Sequence, residues 1–278
     1  MSYRTILVHV DNTESAPARI QLAADLARHE GAHLIGAALT GVPRYMCSGS
    51  PFDISGQFVS DYLQRAEKMA DEALARFDEL CQHAEITSRE QRRADEDEYA
   101  GLCLHARYAD LVVLGQAVRG AEDSGGLTSD LPQHVVLHCG RPVLMVPAKG
   151  QFRDIGKRPV IAWNGSVEAA RAVTAALPLL RDAAKVTVLM FAPQGGAQSA
   201  EPGADIATYL ARHGVEVEVK VCPPASDAGH AILSEAAKLQ ADLLVMGAYG
   251  HSRFREMVLG GATRTVLSEL PLPVLMTH

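Results

Sequence analysis

The sequence carries two related halves, and that repeat constrains the fold more than any other feature. Ala109-Asp110-Leu111-Val112-Val113-Leu114-Gly115 and Ala241-Asp242-Leu243-Leu244-Val245-Met246-Gly247 agree at five of seven positions, at an offset of 132. Pro142-Val143-Leu144-Met145 returns as Pro273-Val274-Leu275-Met276, at an offset of 131. The starts align too: Ile6-Leu7-Val8-His9-Val10-Asp11 runs parallel to Val160-Ile161-Ala162-Trp163-Asn164, with Asp11 over Asn164 at an offset of 153. The fall from 153 to 131 gives the first half roughly 22 additional residues between its first and fourth apolar runs. Solenoid repeats have periods of about 20–50 residues, so a period this long means two copies of a whole domain. A length of 278 residues suits two domains of ordinary size.

Each half alternates strand-like and helix-like segments. The first is expected to place strands at Thr5–Val10, His33–Leu39, Glu85–Gln91, Leu111–Leu114 and Val143–Val146. Helices are expected at Ala16–His29, in a long segment capped by Ser60, and at Glu96–Arg107. Leu63, Ala66, Met69, Ala70, Ala73, Phe77 and Leu80 recur every three or four residues and give the long helix one buried face. Thr40–Gly56, rich in Gly, Pro and Ser, reads as the inserted loop, and the charge run Arg89–Glu98 as a solvated loop and helix start. The second half predicts strands at Val160–Trp163, Val186–Phe191, Val215–Val221, Leu243–Met246 and Val274–Thr277. Its helices fall near Val167–Leu180, Ala204–His213, Ala228–Leu239 and Ala262–Glu269, with Pro178 expected to kink or shorten the first. Strands joined through helices imply an α/β fold of two tandem doubly wound domains, over residues 1–148 and 157–278, with the joint in Lys149–Arg158. Ligands of such sheets sit at the carboxyl ends of the strands, where Asn164 and Gly247 fall.

Composition narrows the function classes. At 47% hydrophobic and 21% charged the chain can build two packed cores. A net charge of −7 opposes a general electrostatic grip on nucleic acid. Five cysteines without a C-x-x-C pair suit a reducing compartment. No apolar run approaches the ~20 residues of a membrane span, and MSYRTILVHVDN is too short an apolar start for a signal peptide. The expectation is a cytoplasmic protein with no membrane or nucleic-acid partner.

The richest local pattern is the last 38 residues. An apolar strand ends at Gly247, a glycine-spaced loop follows, and a helix begins afresh at Gly260-Gly261. A strand that stops at glycines and re-enters a helix N-terminus presents backbone N–H groups to a phosphate. Gly247 and Gly250 let the backbone approach where a Cβ would collide and allow positive φ. Arg253, Arg255 and Arg264 face only Glu256, and His251 and Ser252 add side-chain donors.

Gly247-x2-Gly250-x9-Gly260 after a buried strand, with Asn164-Gly165-Ser166 after the first strand of that half, resembles the universal stress protein family in its tandem form, over essentially the whole chain. The resemblance implies five-stranded parallel sheets in the order 3-2-1-4-5, flanked by helices. It also implies ATP or another adenine nucleotide as ligand, with or without Mg²⁺, since many members bind one and others do not. The base would lie near Ala162, Asn164 and Met246. The triphosphate would run along Gly247, Gly250, Gly260 and Gly261 onto Ala262, with His251, Ser252 and Arg253 beside it. Two positions depart from the family's nucleotide binders: Gly261 stands where a hydroxyl residue follows the third glycine, unless Thr263 or Thr265 replaces it, and Asn164 stands for an acid. The resemblance further implies antiparallel pairing of the last strands, Val143–Val146 with Val274–Thr277, and a homodimer or other protein partner.

The first half lacks the cradle. Gly115-Gln116-Ala117-Val118 has no second glycine, Ser129-Asp130 replaces Gly260-Gly261, and Glu122, Asp123 and Asp130 oppose an anion. Asp11 is retained, which leaves room for a base-binding remnant. The chain has no G-x-S-x-G, no G-x-x-x-x-G-K-[ST] and no H-E-x-x-H, so no catalytic residue and no resident metal are assigned. Cys103-x-His105 and His138-Cys139 match no standard zinc spacing. Plainer readings stand beside these: the glycines as turn punctuation, Asn164 and Ser166 as helix caps, His251 as a solvated loop residue, Trp163 as packing. The competing function is a nucleotide-free interaction scaffold, while an adenylyl transferase lacks the groups it would need.

Overall fold

The computed structural model describes residues 2–41, 56–96, 98–118, 130–192, 203–250 and 261–278. The chain divides into two compact units, Ser2–Arg153 and a second from Asp154 to His278.

In the first unit the order is β1 (Thr5–His9), α1 (Ala16–Glu30), β2 (His33–Leu39), α2 (Gly56–His83), β3 (Arg89–Ala94), α3 (Glu98–Ala106), β4 (Leu111–Gly115), α4 (Leu131–His138) and β5 (Val143–Val146). Every strand pairing is parallel. β1 lies between β2 and β4, β3 lies outside β2 and β5 outside β4, giving the order 3-2-1-4-5. The residues of β4 and β5 are buried throughout, as continuous Val/Leu/Met runs covered on both faces should be. β3 has the sequence Arg-Glu-Gln-Arg-Arg-Ala, so the charge run expected to be a loop forms a strand. A strand beside only one neighbour tolerates charge, and here Arg89 pairs with Asp78 of α2 at 2.7 Å.

The expected strand Glu85–Gln91 begins late because α2 closes there. Glu85 takes a left-handed φ of 58°, and the Ile86 N–H returns to the Cys81 carbonyl at 2.9 Å, a helix-terminating pattern. α2 also starts four residues before Ser60, which sits inside it and is not its cap; nothing in Gly56-Gln57-Phe58-Val59 halts a helix. At 28 residues α2 is far longer than its 9-residue counterpart in the second unit; of the inserted loop expected at Thr40–Gly56, residues 42–55 lie outside the described residues. Its buried face is Ala70, Ala73, Leu74, Phe77 and Cys81.

The second unit runs β6 (Pro159–Ala162), α5 (Val167–Leu180), β7 (Val186–Phe191), α6 (Ala204–Arg212), β8 (Val217–Cys222), α7 (Ala228–Lys238), β9 (Leu243–Gly247), α8 (Ala262–Glu269) and β10 (Val274–Thr277). Its parallel pairings repeat the first order: β6 lies between β7 and β9, β8 outside β7 and β10 outside β9. Pro178 does not shorten α5, which continues to Leu180 with Arg181 still in helical conformation. The proline lies two residues from the end of α5, and Ala176–Leu180 are buried, so packing holds the last turn. β8 starts at Val217 because Val215 still closes α6, its N–H bonded to the Leu210 carbonyl at 3.1 Å.

The repeated Ala-Asp has a structural cause. The Asp110 carboxylate accepts the backbone N–H groups of Arg4 (2.7 Å) and Thr5 (3.0 Å) at the start of β1. Asp242 accepts those of Gly156 (3.0 Å), Lys157 (2.8 Å) and Arg158 (2.9 Å) ahead of β6. In each copy the fourth strand thus clasps the first at its amino end and leaves the carboxyl ends free to form a crevice. Among the described residues no helix is long and apolar enough to cross a membrane.

Candidate functional site

In the second unit the strand order reverses between β6 and β9, with Ala162 beside Met246 in register. A crevice for a ligand is expected there, beyond the carboxyl ends. Met246 is buried, Ala162 and Trp163 are half-buried, and Asn164 is exposed. Asn164 Oδ1 accepts the Ser166 N–H at 3.1 Å across Gly165, whose φ of 74° makes the turn. Ser166 Oγ in turn accepts the Ala169 N–H at 3.1 Å and caps α5. Ser166 therefore caps the helix, and Asn164 fixes the turn that leads into it.

The glycines behave differently from the sequence expectation. Neither Gly247 nor Gly250 has a positive φ; among the described residues of this loop the left-handed one is Tyr249, at 58°. A Cβ on Gly247 would stand 2.5 Å from the Ala169 nitrogen and 2.7 Å from the Glu168 carbonyl carbon. The first turn of α5 thus packs directly on the end of β9, and Gly247 serves that packing. A Cβ on Gly250 would stand 2.6 Å from Glu168 Oε2 and 3.3 Å from Ser166 Oγ. Glu168 was not singled out from the sequence. Its position in the first turn of the helix after Asn164-Gly165-Ser166 was the available signal, because acids favour that turn.

Two contacts tie the loop start to the last helix and the last strand. The Tyr249 N–H donates to Thr263 Oγ1 at 3.2 Å, and the Ala248 N–H to the Thr277 carbonyl at 2.8 Å. Thr263 is buried and its hydroxyl occupied in this way, while the Thr265 side chain packs where a Cβ of Gly229 on α7 would fall. α8 opens at Gly261 in extended conformation with no side-chain cap, in contrast to the capped starts of α5 and of α7, whose Asp227 accepts the His230 N–H at 3.0 Å. Among the described residues no side chain caps the N–H groups of this first turn, Ala262 onward. His251, Ser252, Arg253 and Gly260 lie outside the described residues, as do Arg255 and Glu256.

The corresponding crevice of the first unit, between β1 and β4, holds a buried charged cluster. Arg19 reaches back from α1, its Nη2 2.8 Å from Asp11 Oδ2 and its Nε–H donating to the His9 carbonyl at 2.8 Å. Its Nη1 lies against Gly115, where a Cβ would collide with it. Asp11 also accepts the backbone N–H of Thr13 at 3.0 Å and its hydroxyl. Burial alone would raise the Asp11 pKa, but Arg19, His9 and the Thr13 hydrogen bonds outweigh it and hold it below the usual carboxylate value. Burial pushes His9 down to about 4, with Asp11 opposing and Arg19 assisting. At the offset of 153 the second unit carries Ala162, Asn164 and Ala172 in place of His9, Asp11 and Arg19. Arg19 was not anticipated; a lone arginine on an otherwise apolar helix face was its only trace. Of the acids placed near Gly115, Asp130 accepts the Tyr99 hydroxyl at 2.6 Å, and Glu122 and Asp123 lie outside the described residues, as does Ser129.

Among the described residues no group of three or more His, Cys, Asp or Glu could hold a metal ion, and no disulfide joins any of the four described cysteines.

Known proteins share this architecture. The chain matches the family model of the universal stress protein family over residues 2–147 and again over 157–278. It is 28% identical over 168 residues to universal stress protein Slr1230 of Synechocystis, an alignment covering 60% of this chain and 57% of that protein. The chain thus spans little more than half the length of this relative. Among solved structures, a universal stress protein from Archaeoglobus fulgidus superposes with a TM-score of 0.73 at 16% identity, covering 98% of this chain and 95% of that one. The Pseudomonas aeruginosa protein PA1789 gives 0.59 at 18% identity, covering 99% and 92%.

Proposed function

The chain belongs to the universal stress protein family, and from that premise we propose that its second domain binds ATP or a related adenine nucleotide. On this reading the two domains, 1–148 and 157–278, take unequal parts in a cytoplasmic stress-response regulator. The nucleotide sets the shape of the loop between Gly250 and Gly261, and a protein partner reads that shape; fast catalysis is not its role. The observation that carries the reading is the uncapped N-terminus of α8 at Gly261, tied by the Tyr249–Thr263 hydrogen bond to the end of β9. A helix start without a side-chain acceptor favours an anion. The base then lies over Ala162, Asn164 and Met246, and the phosphates run past Gly250 toward Gly261 and Ala262, with His251, Ser252, Arg253 and Gly260 supplying the rest of the loop.

One observation favours a second reading, that of an interaction scaffold without nucleotide. The Glu168 carboxylate stands over Gly250, and Gly247 is occupied by α5. Phosphates at Gly250 require Glu168 to swing aside.

Calorimetric titration of the nucleotide-stripped protein with ATP, with and without Mg²⁺, decides between them. Micromolar binding of one ATP per chain that is lost in Gly250→Asp supports the nucleotide reading. No heat and no thermal stabilisation at millimolar ATP leaves the scaffold.

A further inference from the structure

We propose that the first domain has a ligand crevice that is already filled: Arg19 acts as an internal guanidinium ligand, and the space it takes between Asp11 and Gly115 is a binding site for a small planar cation. The crevice lies at the β1/β4 switch point, where a doubly wound sheet binds its ligand. Arg19 enters it as a bound molecule would. Its side chain is 2% exposed, its head is ion-paired to Asp11, its Nε–H is bonded to the His9 carbonyl, and its Nη1 lies where a Cβ of Gly115 would fall.

The lining is polar and built for a charge. Asp11 is 4% exposed, and its carboxylate is oriented by two hydrogen bonds from Thr13. His9 is fully buried, with no hydrogen-bond partner at either ring nitrogen among the described residues and Nδ1 3.4 Å from Asp11. A planar guanidinium presents donors in a fixed fork and suits a carboxylate and a carbonyl at once. The second domain supplies the contrast. With Ala172 at the position of Arg19, the backbone of the α5 first turn comes down onto Gly247; in the first domain the arginine head is what meets Gly115. A buried ion pair contributes little net stability compared with apolar residues of the same volume. Its consequence here is occlusion: exogenous ligands are kept out of the first crevice. Taken with the nucleotide reading, on which this clause rests, the chain then holds one nucleotide.

The test is chemical rescue in the full chain. Arg19→Ala leaves an empty space beside a buried carboxylate, and methylguanidinium is the probe, compared with sodium chloride at equal concentration. The expected result is a saturable rise in the thermal midpoint of Arg19→Ala with methylguanidinium, absent in the parent chain and in Asp11→Asn/Arg19→Ala. If Arg19→Ala does not fold unaided, its refolding yield with methylguanidinium against sodium chloride reads the same property, with the double variant as control. No rescue of Arg19→Ala, or an equal response of all three proteins, overturns the proposal. The nucleotide reading stands or falls separately, on ATP titration of the parent.

Discussion

The guanidinium of Arg19 stands 2.8 Å from the carboxylate of Asp11, with both side chains 2% exposed. Removing one partner leaves the other charged and dry. Asp11→Ala should therefore cost about 3–5 kcal/mol in the unfolding of the first domain. Asp11→Asn/Arg19→Ala, which copies Asn164 and Ala172, should cost less than the sum of its single changes. A double-mutant cycle by urea unfolding measures the difference, and additive losses would deny the coupling.

His9 gives the same domain a pH dependence. An unfolded histidine titrates near 6.5, whereas folded His9 is held near 4. The unfolded chain binds the extra proton between those values, so stability is intact above about pH 6.5 and falls as the pH drops toward about 4. The slope is at most about 1.4 kcal/mol per pH unit. His9→Ala, the residue of the second domain, should flatten this slope even if it lowers stability at neutral pH. An unchanged slope would assign the acid sensitivity elsewhere.

Gly247 and Gly250 should separate under substitution. A methyl at 247 meets the backbone of Glu168 and Ala169, which cannot turn away, and Gly247→Ala should cost about 1–3 kcal/mol with or without nucleotide. A methyl at 250 meets the end of the Glu168 side chain, which can move, so Gly250→Ala should stay within about 0.5 kcal/mol. Thermal unfolding of the two variants side by side would reveal equal losses if this distinction were wrong.

Glu168 opposes an anion at Gly250. Glu168→Gln should tighten ATP binding about fivefold, corresponding to roughly 1 kcal/mol of like-charge repulsion near a surface. The gain should shrink as salt rises. Weaker binding in the variant would give Glu168 a supporting role toward the ligand.

The parallel sheets and the doubled architecture were legible because buried Val/Leu/Met runs separated by helical spacing leave few alternatives, whereas the strand order came from the family resemblance and not from the spacing. β3 was displaced because its identity comes from the neighbouring β2 and from the Arg89–Asp78 pair, neither of which is local in sequence. The glycine pattern was visible, but its cause was not. Gly247 is small because α5 packs on it, a contact between segments some 80 residues apart. Ser166 was readable as a cap and Asn164 as its neighbour in the turn, since both bonds are short-range. Arg19 was hidden for the opposite reason. Sequence places it on the buried face of α1, and only the fold shows that Asp11 and Gly115 await it there.

The carboxylate of Asp242 fixes where the second domain begins under attack by a protease. Lys149, Arg153 and Lys157 all expose their side chains, so accessibility alone would offer trypsin three equal sites. The amides at Gly156, Lys157 and Arg158 are held by Asp242, and a bound backbone must come loose before it can enter a protease cleft. Cleavage should therefore fall first at Lys149 and Arg153, and Asp242→Asn should extend it to Lys157.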